Sequence, residues 1–126
     1  MTLLYLTIGT NDLAKAARFY DATLAPLGMV RRATGPTELG YGLPDDSRTR
    51  LWITLPYDGK PATMGNGSMP AIVAPSQMAV QDFHKAALAS GGSDDGAPGL
   101  RPHSPTFYAA YVRDPDGNKL SAVHGG

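Results

Sequence analysis

A chain of 126 residues is long enough for a real hydrophobic core, and it is read here as a single domain over 1–126. Its 11 basic and 11 acidic side chains cancel without forming a basic run, which argues against nucleic-acid recognition through a broad cationic surface. The absence of cysteine excludes a disulfide framework and any thiolate metal site.

Residues 3–9 (LLYLTIG) alternate as a strand, with Leu4, Leu6 and Ile8 on one face and Leu3, Tyr5 and Thr7 on the other. That apolar run has no basic flank and is interrupted at Asn11-Asp12, so it is neither a signal peptide nor a membrane span. A cytoplasmic protein without a membrane partner is expected. Thr10, Asn11 and Asp12 offer oxygens to the free N–H groups of a helix over 12–25. Its apolar stripe is Leu13, Ala16, Phe19, Tyr20, Thr23, Leu24 and Leu27, and Pro26 with Gly28 ends it. Strands are expected over 29–34, 38–42 and 50–55, separated by a Gly35-Pro36 turn and a polar loop over 43–48. In the third of these Leu51, Ile53 and Leu55 oppose Trp52 and Thr54.

The stretch 57–68 has no apolar period and reads as a connector, after which the plan restarts. A strand-like segment over 69–74 leads to Pro75-Ser76 and a helix over 76–89, whose stripe is Val80, Phe83, His84, Ala87 and Leu88. Gly91-Gly92 stops that helix. Residues 93–105 read as loop-rich with at most a short strand, and 106–113 lead into a hairpin. There, in YVRDPDGNKLS, Pro115 suits the first corner of a type I turn, and Gly117 suits the left-handed position of a three-residue loop. Asp114 then pairs with Asn118, Arg113 with Lys119 and Tyr111 with Ser121. Ala110, Val112, Leu120 and Ala122 share one face, while Ala109, Tyr111, Ser121 and Val123 share the other.

The restart has a fixed register. A shift of 64 positions lays Tyr5 on Met69, Ile8 on Ile72, Ala16 on Val80, Phe19 on Phe83, Tyr20 on His84, Leu24 on Leu88 and Gly28 on Gly92. Two copies of a strand–helix–strands module are implied, the first over about 1–57 and the second over about 68–126. The fold class is therefore α+β: tandem strand–helix–strands modules forming a curled antiparallel sheet around a cavity, with the helices on the outer face. Leu4, Leu6, Ile8 and Ile72 face the helices. Tyr5, Thr7, Trp52, Met69, Tyr111 and Ser121 face the concavity, mixing hydroxyls with apolar area as small-molecule pockets do.

These features resemble the glyoxalase/bleomycin-resistance/dioxygenase group, the vicinal oxygen chelate superfamily. The likeness is carried by the paired modules, by LTIGTNDLAKAARFYDATLAPLG near the start and by FYAAYVRDPDGNKLSAV at the end. It implies paired βαβββ modules around a cavity and a homodimer. It also implies a divalent metal held by a histidine on the first strand of each half and a glutamate near the end of the last strand. At the corresponding positions this chain has Tyr5, Met69 and Ser121. A thioether is soft and uncharged, a serine hydroxyl stays protonated near neutral pH, and a free phenol ionises only near pH ~10. No metal and no other cofactor is expected.

The three histidines show no ligand spacing. His84 is expected at the edge of a helix stripe and His124 as a solvent-exposed terminal residue, whereas His103, in the loop before the cavity strand, is a candidate ligand contact. Arg101 in the same loop could contact an anion. Asp114 and Asp116 read as turn residues that bond nearby backbone N–H groups. The reading favoured is a cavity that binds a small organic molecule without a metal, through Tyr5, Thr7, Trp52, Met69, Tyr111, Ser121 and His103, with no catalytic residue assigned. The alternative is a divergent lyase, isomerase or dioxygenase, using a metal through other ligands or metal-free acid/base chemistry at Tyr5 and Tyr111.

Overall fold

The computed structural model describes residues 2–126 and has the repeated plan. The first module contains β1 (Leu6–Gly9), α1 (Leu13–Leu24), β2 (Val30–Thr34), β3 (Glu38–Gly42) and β4 (Leu51–Thr54). The second contains β5 (Ala71–Val73), α2 (Gln77–Ala89), β6 (Ser93–Leu100), β7 (Tyr108–Arg113) and β8 (Lys119–His124). The side chain of Asp12 accepts from the Lys15 N–H and that of Ser76 from the Ala79 N–H, so each helix starts on an oxygen cap. A 3-10 turn over Ala25–Leu27 follows α1, and Gly28 closes it in the left-handed conformation at φ 81°.

The strand order is β1-β4-β3-β2 in one sheet and β5-β8-β7-β6 in the other. There are two four-stranded sheets, one in each module, and the first strand of each runs parallel, not antiparallel, to its neighbour: β1 to β4 and β5 to β8. The remaining pairs are antiparallel, as expected. The parallel pairing follows from the long crossover through a helix and two strands that brings β4 back beside β1. Both β1 and β5 lie at sheet edges.

The core lies between the sheets and the two helices, which pack on each other. Ala16 and Val80 are buried in it, as are Phe19 and Phe83, so the 64-residue register holds inside the molecule. It fails at Leu88, which is exposed where Leu24 is fully buried; Ala87 takes the inward position, as Thr23 does in the first helix. Leu4, expected on the helix-facing side, lies ahead of the paired strand and is exposed. Residues 93–100 form an eight-residue edge strand, not a loop. Its pairing with β7 shifts register around Gly96 and again before Gly99, and Pro98 is tolerated because an edge strand has a row of N–H groups without ladder partners.

The β7–β8 hairpin has the expected register, with Tyr111 opposite Ser121 and Arg113 opposite Lys119. The Asp114 N–H donates to the Asn118 carbonyl, and Gly117 sits at φ 89°. The turn also clasps the first module. The Tyr20 hydroxyl donates to Asp114 at 2.5 Å, the Thr10 hydroxyl donates to Asp116 at 2.5 Å, and the Asn118 amide donates to the Gly9 carbonyl at 3.0 Å. Asp114 also accepts from the N–H groups of Asp116 and Asn118, as expected of a turn residue, whereas the Asp116 carboxylate accepts from the Thr10 hydroxyl and the Asn11 N–H of the first module and not from the turn's own backbone. No helix among the described residues is long and apolar enough to cross a membrane.

Candidate ligand-binding groove

Because β1 and β5 are both edge strands, the seam between the modules is where side chains of the two halves meet without a ladder to close it. A half-open groove of about 640 Å³ follows that seam. The first module contributes Leu6 from β1 and Leu51 from β4, with Leu27 and Met29 from the end of the α1 segment. Met69, Ile72 and Val73 come from the second. The wall is apolar, with polar groups at intervals: the Tyr5 phenol, the Ser68 hydroxyl and the Asp46–Arg50 pair, whose carboxylate and Nε are 2.8 Å apart. Hydrogen bonding from Arg50 and from the Arg48 N–H holds the Asp46 carboxyl down at about 2.

A smaller cavity of about 210 Å³ adjoins the groove and shares Leu6, Ser68 and Pro70 with it. Thr7, Thr63, Asn118 and Lys119 make it polar. A separate hollow of about 670 Å³ lies along the connector between Thr37 and Lys60, but it borders only the first module and the connector.

Tyr5 and Met69, equivalent by the repeat, thus line one groove, and Thr7 lines the adjoining cavity. Trp52, Tyr111 and Ser121 line neither. They belong to two matching rows across the sheets: Thr7, Trp52, Gly40 and Ala33 in the first, Ala71, Ser121, Tyr111 and Gly96 in the second. Each row carries one aromatic ring lying across a glycine. A Cβ on Gly40 would come within 2.8 Å of the Trp52 ring, and one on Gly96 within 2.7 Å of the Tyr111 ring. Ser121 is fully buried and its Oγ has no hydrogen-bond partner. His103 is exposed on the β6–β7 loop, edge-on to Phe107 with ring centroids 4.8 Å apart. His84 bonds Asp94 at 2.8 Å. His124, expected in solvent, is half-buried in β8, and its Nδ1 bonds the Ala74 carbonyl at 3.0 Å.

The groove walls Leu27, Met29, Leu51 and Ile72 do not stand out in sequence, because as strand or helix-end residues they read simply as core. The available signal was positional: they flank the two edge strands, where core side chains border the seam. Lys119 had a signal too, since alternation places it on the same strand face as Ser121.

The donor set does not suit a divalent metal. Tyr5 and Met69 bring a phenol and a thioether to the groove, and Ser121 is not among its lining residues. No group of three or more His, Cys, Asp or Glu side chains among the described residues is arranged to hold an ion. Tyr5 and Tyr111 do not meet in one cavity either.

The family model described as "Glyoxalase/Bleomycin resistance protein/Dioxygenase superfamily" matches residues 2–121. Among solved structures, a glyoxalase/bleomycin resistance protein from Albidiferax ferrireducens T118 is 37% identical with a TM-score of 0.88, and the match covers 100% of both chains. A glyoxalase-related enzyme from Fulvimarina pelagi is 22% identical with a TM-score of 0.76, over 99% of this chain and 88% of that one. A glyoxalase I mutant from Zea mays shares the fold at 23% identity and a TM-score of 0.67, over 97% of this chain and 45% of that chain. No curated protein matches.

Proposed function

The chain belongs to the Glyoxalase/Bleomycin resistance protein/Dioxygenase superfamily, and from that premise we propose that it binds a small organic molecule without a metal. The observation that carries this reading is the groove itself. Its volume, about 640 Å³, falls within the range of ligand pockets, roughly 300–1,000 Å³. Its lining also has the usual composition, a mainly apolar wall with a few placed polar groups. The phenol of Tyr5 and the thioether of Met69 suit contact with an organic body far better than coordination of a divalent ion. We assign the two modules to one cavity-bearing domain and the working form to a homodimer. A second copy would cover Leu3, Leu4 and Val73, which stand exposed at the groove's margin.

The test is a fluorescence titration with the neutral apolar probe N-phenyl-1-naphthylamine. One probe per chain is expected to bind. Ala71→Trp, which sets an indole into the groove from edge strand β5, is expected to weaken binding by about tenfold or more. Absence of binding to the unmodified protein, or binding indifferent to Ala71→Trp, would overturn the reading.

A further inference from the structure

The charged groups around the adjoining cavity are unevenly balanced. In the groove wall, Asp46 and Arg50 neutralise each other. The adjoining cavity is different. There Lys119 walls the small polar cavity, and its ammonium lies 5.4 Å from the centre of the Tyr111 ring. Arg101 is on the same ring, with its guanidinium carbon 5.3 Å from the centre. Arg113 completes the cluster from β7. One carboxylate, Asp95, serves two of these three cations: it accepts from Arg113 Nε at 3.0 Å and lies 3.3 Å from Lys119 Nζ. Arg101 has no carboxylate partner among the described residues. Its two terminal nitrogens instead donate to the carbonyls of Ala97, at 2.6 Å, and Leu100, at 3.4 Å. Those bonds fix the guanidinium beside Tyr111 without neutralising it.

We propose that the molecule held in the groove is an organic anion, its apolar body between Leu6, Leu27, Met29 and Leu51 and its acidic group in the adjoining cavity at Lys119. The inference rests on the groove reading above and adds the chemical class of the ligand. Continuity supports it: the apolar groove and the polar cavity share Leu6, Ser68 and Pro70, so one molecule can occupy both. Charge supports it as well. Lys119, Arg101 and Arg113 gather around Tyr111 and Asp95, and Asp95 is the carboxylate that pairs with two of them, which leaves positive charge in excess within that cluster. Thr63 adds a hydroxyl to the cavity wall, whereas the Asn118 amide is taken up by Gly9 and Asp114. Arg101 and Arg113 act at longer range, raising the local potential around Lys119.

The experiment compares two probes with the same aromatic body. One is neutral N-phenyl-1-naphthylamine, and the other is its sulfonated relative 8-anilinonaphthalene-1-sulfonate. At low salt the sulfonate is expected to bind about fivefold more tightly or better, and added sodium chloride should erode that advantage while leaving the neutral probe unaffected. Lys119→Met should abolish the advantage, and Lys119→Arg should keep most of it. The salt series needs no variant, so it decides the matter even if Lys119→Met misfolds. Equal affinity for both probes, or a preference that survives Lys119→Met in a folded protein, would overturn the inference and leave the groove reading standing. Failure of both probes to bind would overturn the groove reading, and this inference with it.

Discussion

Replacing Tyr20 by phenylalanine deletes one hydroxyl at the place where α1 of the first module meets the hairpin of the second. Tyr20 is fully buried, Asp114 is nearly so, and the bond between them is 2.5 Å long. A hydrogen bond to a charged acceptor contributes roughly 1.5–3 kcal/mol, more than one between neutral groups. Asp114 keeps three other donors in the variant: the Asp116 N–H, the Asn118 N–H and the Asn118 side-chain amide, each at 2.9 Å. The loss should therefore fall at about 2 kcal/mol, a large part of a typical stability of roughly 5–15 kcal/mol.

A second readout comes from alkaline pH. Burial, then the neighbouring Asp114 carboxylate, pushes the Tyr20 phenol well above its ordinary value, and burial followed by Asp21 raises Tyr41 as well. A phenol whose folded pKa exceeds its unfolded one holds its proton longer in the folded state, so stability falls as pH rises. The contribution is complete below pH ~10 and is lost as pH climbs from there toward the folded pKa. Each such phenol adds about 1.4 kcal/mol per pH unit to the downward slope. Urea denaturation from pH 7 to above 11 should show Tyr20→Phe less stable at neutral pH and less steep above pH ~10, with Tyr41 supplying what remains of that slope. Equal stability at pH 7 together with an unchanged alkaline slope would refute the clasp.

Gly117→Ala should destabilise by roughly 1 kcal/mol or more, because a Cβ is disfavoured at φ 89°; an unchanged urea midpoint would contradict the turn. Gly40→Val should cost about 1–3 kcal/mol through collision with Trp52 and Thr49, and adding Trp52→Ala should recover part of that loss, which a double-mutant cycle measures. The Asp46 carboxyl should titrate at about 2 by carbon NMR, held down first by Arg50 and then by the Arg48 N–H, and it should move upward in Arg50→Gln.

The doubling of the fold was legible because its markers are local and repeated. Capping oxygens at Asp12 and Ser76 and buried aromatics at Phe19 and Phe83 recur at one spacing, and the DPDG turn fixes its own register. Strand β6 was not legible. Its sequence SDDGAPGL does not alternate, since an irregular edge strand has neither the apolar face nor the full ladder that makes a strand visible. Parallel pairing of β1 with β4 leaves no trace in periodicity, which records faces and not directions. The clasp from Tyr20 to Asp114 joins residues 94 apart in the chain, and nothing local marks such a pair. At the candidate site, the repeat made Tyr5 and Met69 equivalent positions, and both line the groove, while alternation gave Trp52, Tyr111 and Ser121 a common kind of face. Depth was invisible, however. The glycines that let Trp52 and Tyr111 lie along the sheet act across strands, and the burial of Ser121 depends on neighbours brought together only by folding.

Metal independence is tested most directly by native mass spectrometry of the purified protein after incubation with excess Zn, Ni and Mn and removal of the unbound ions. The expected spectrum shows no stoichiometric metal adduct, because a phenol, a thioether and a buried hydroxyl give a divalent ion neither the charge nor the donors it needs. One retained divalent ion per chain, lost on Tyr5→Phe or Met69→Ala, would contradict it.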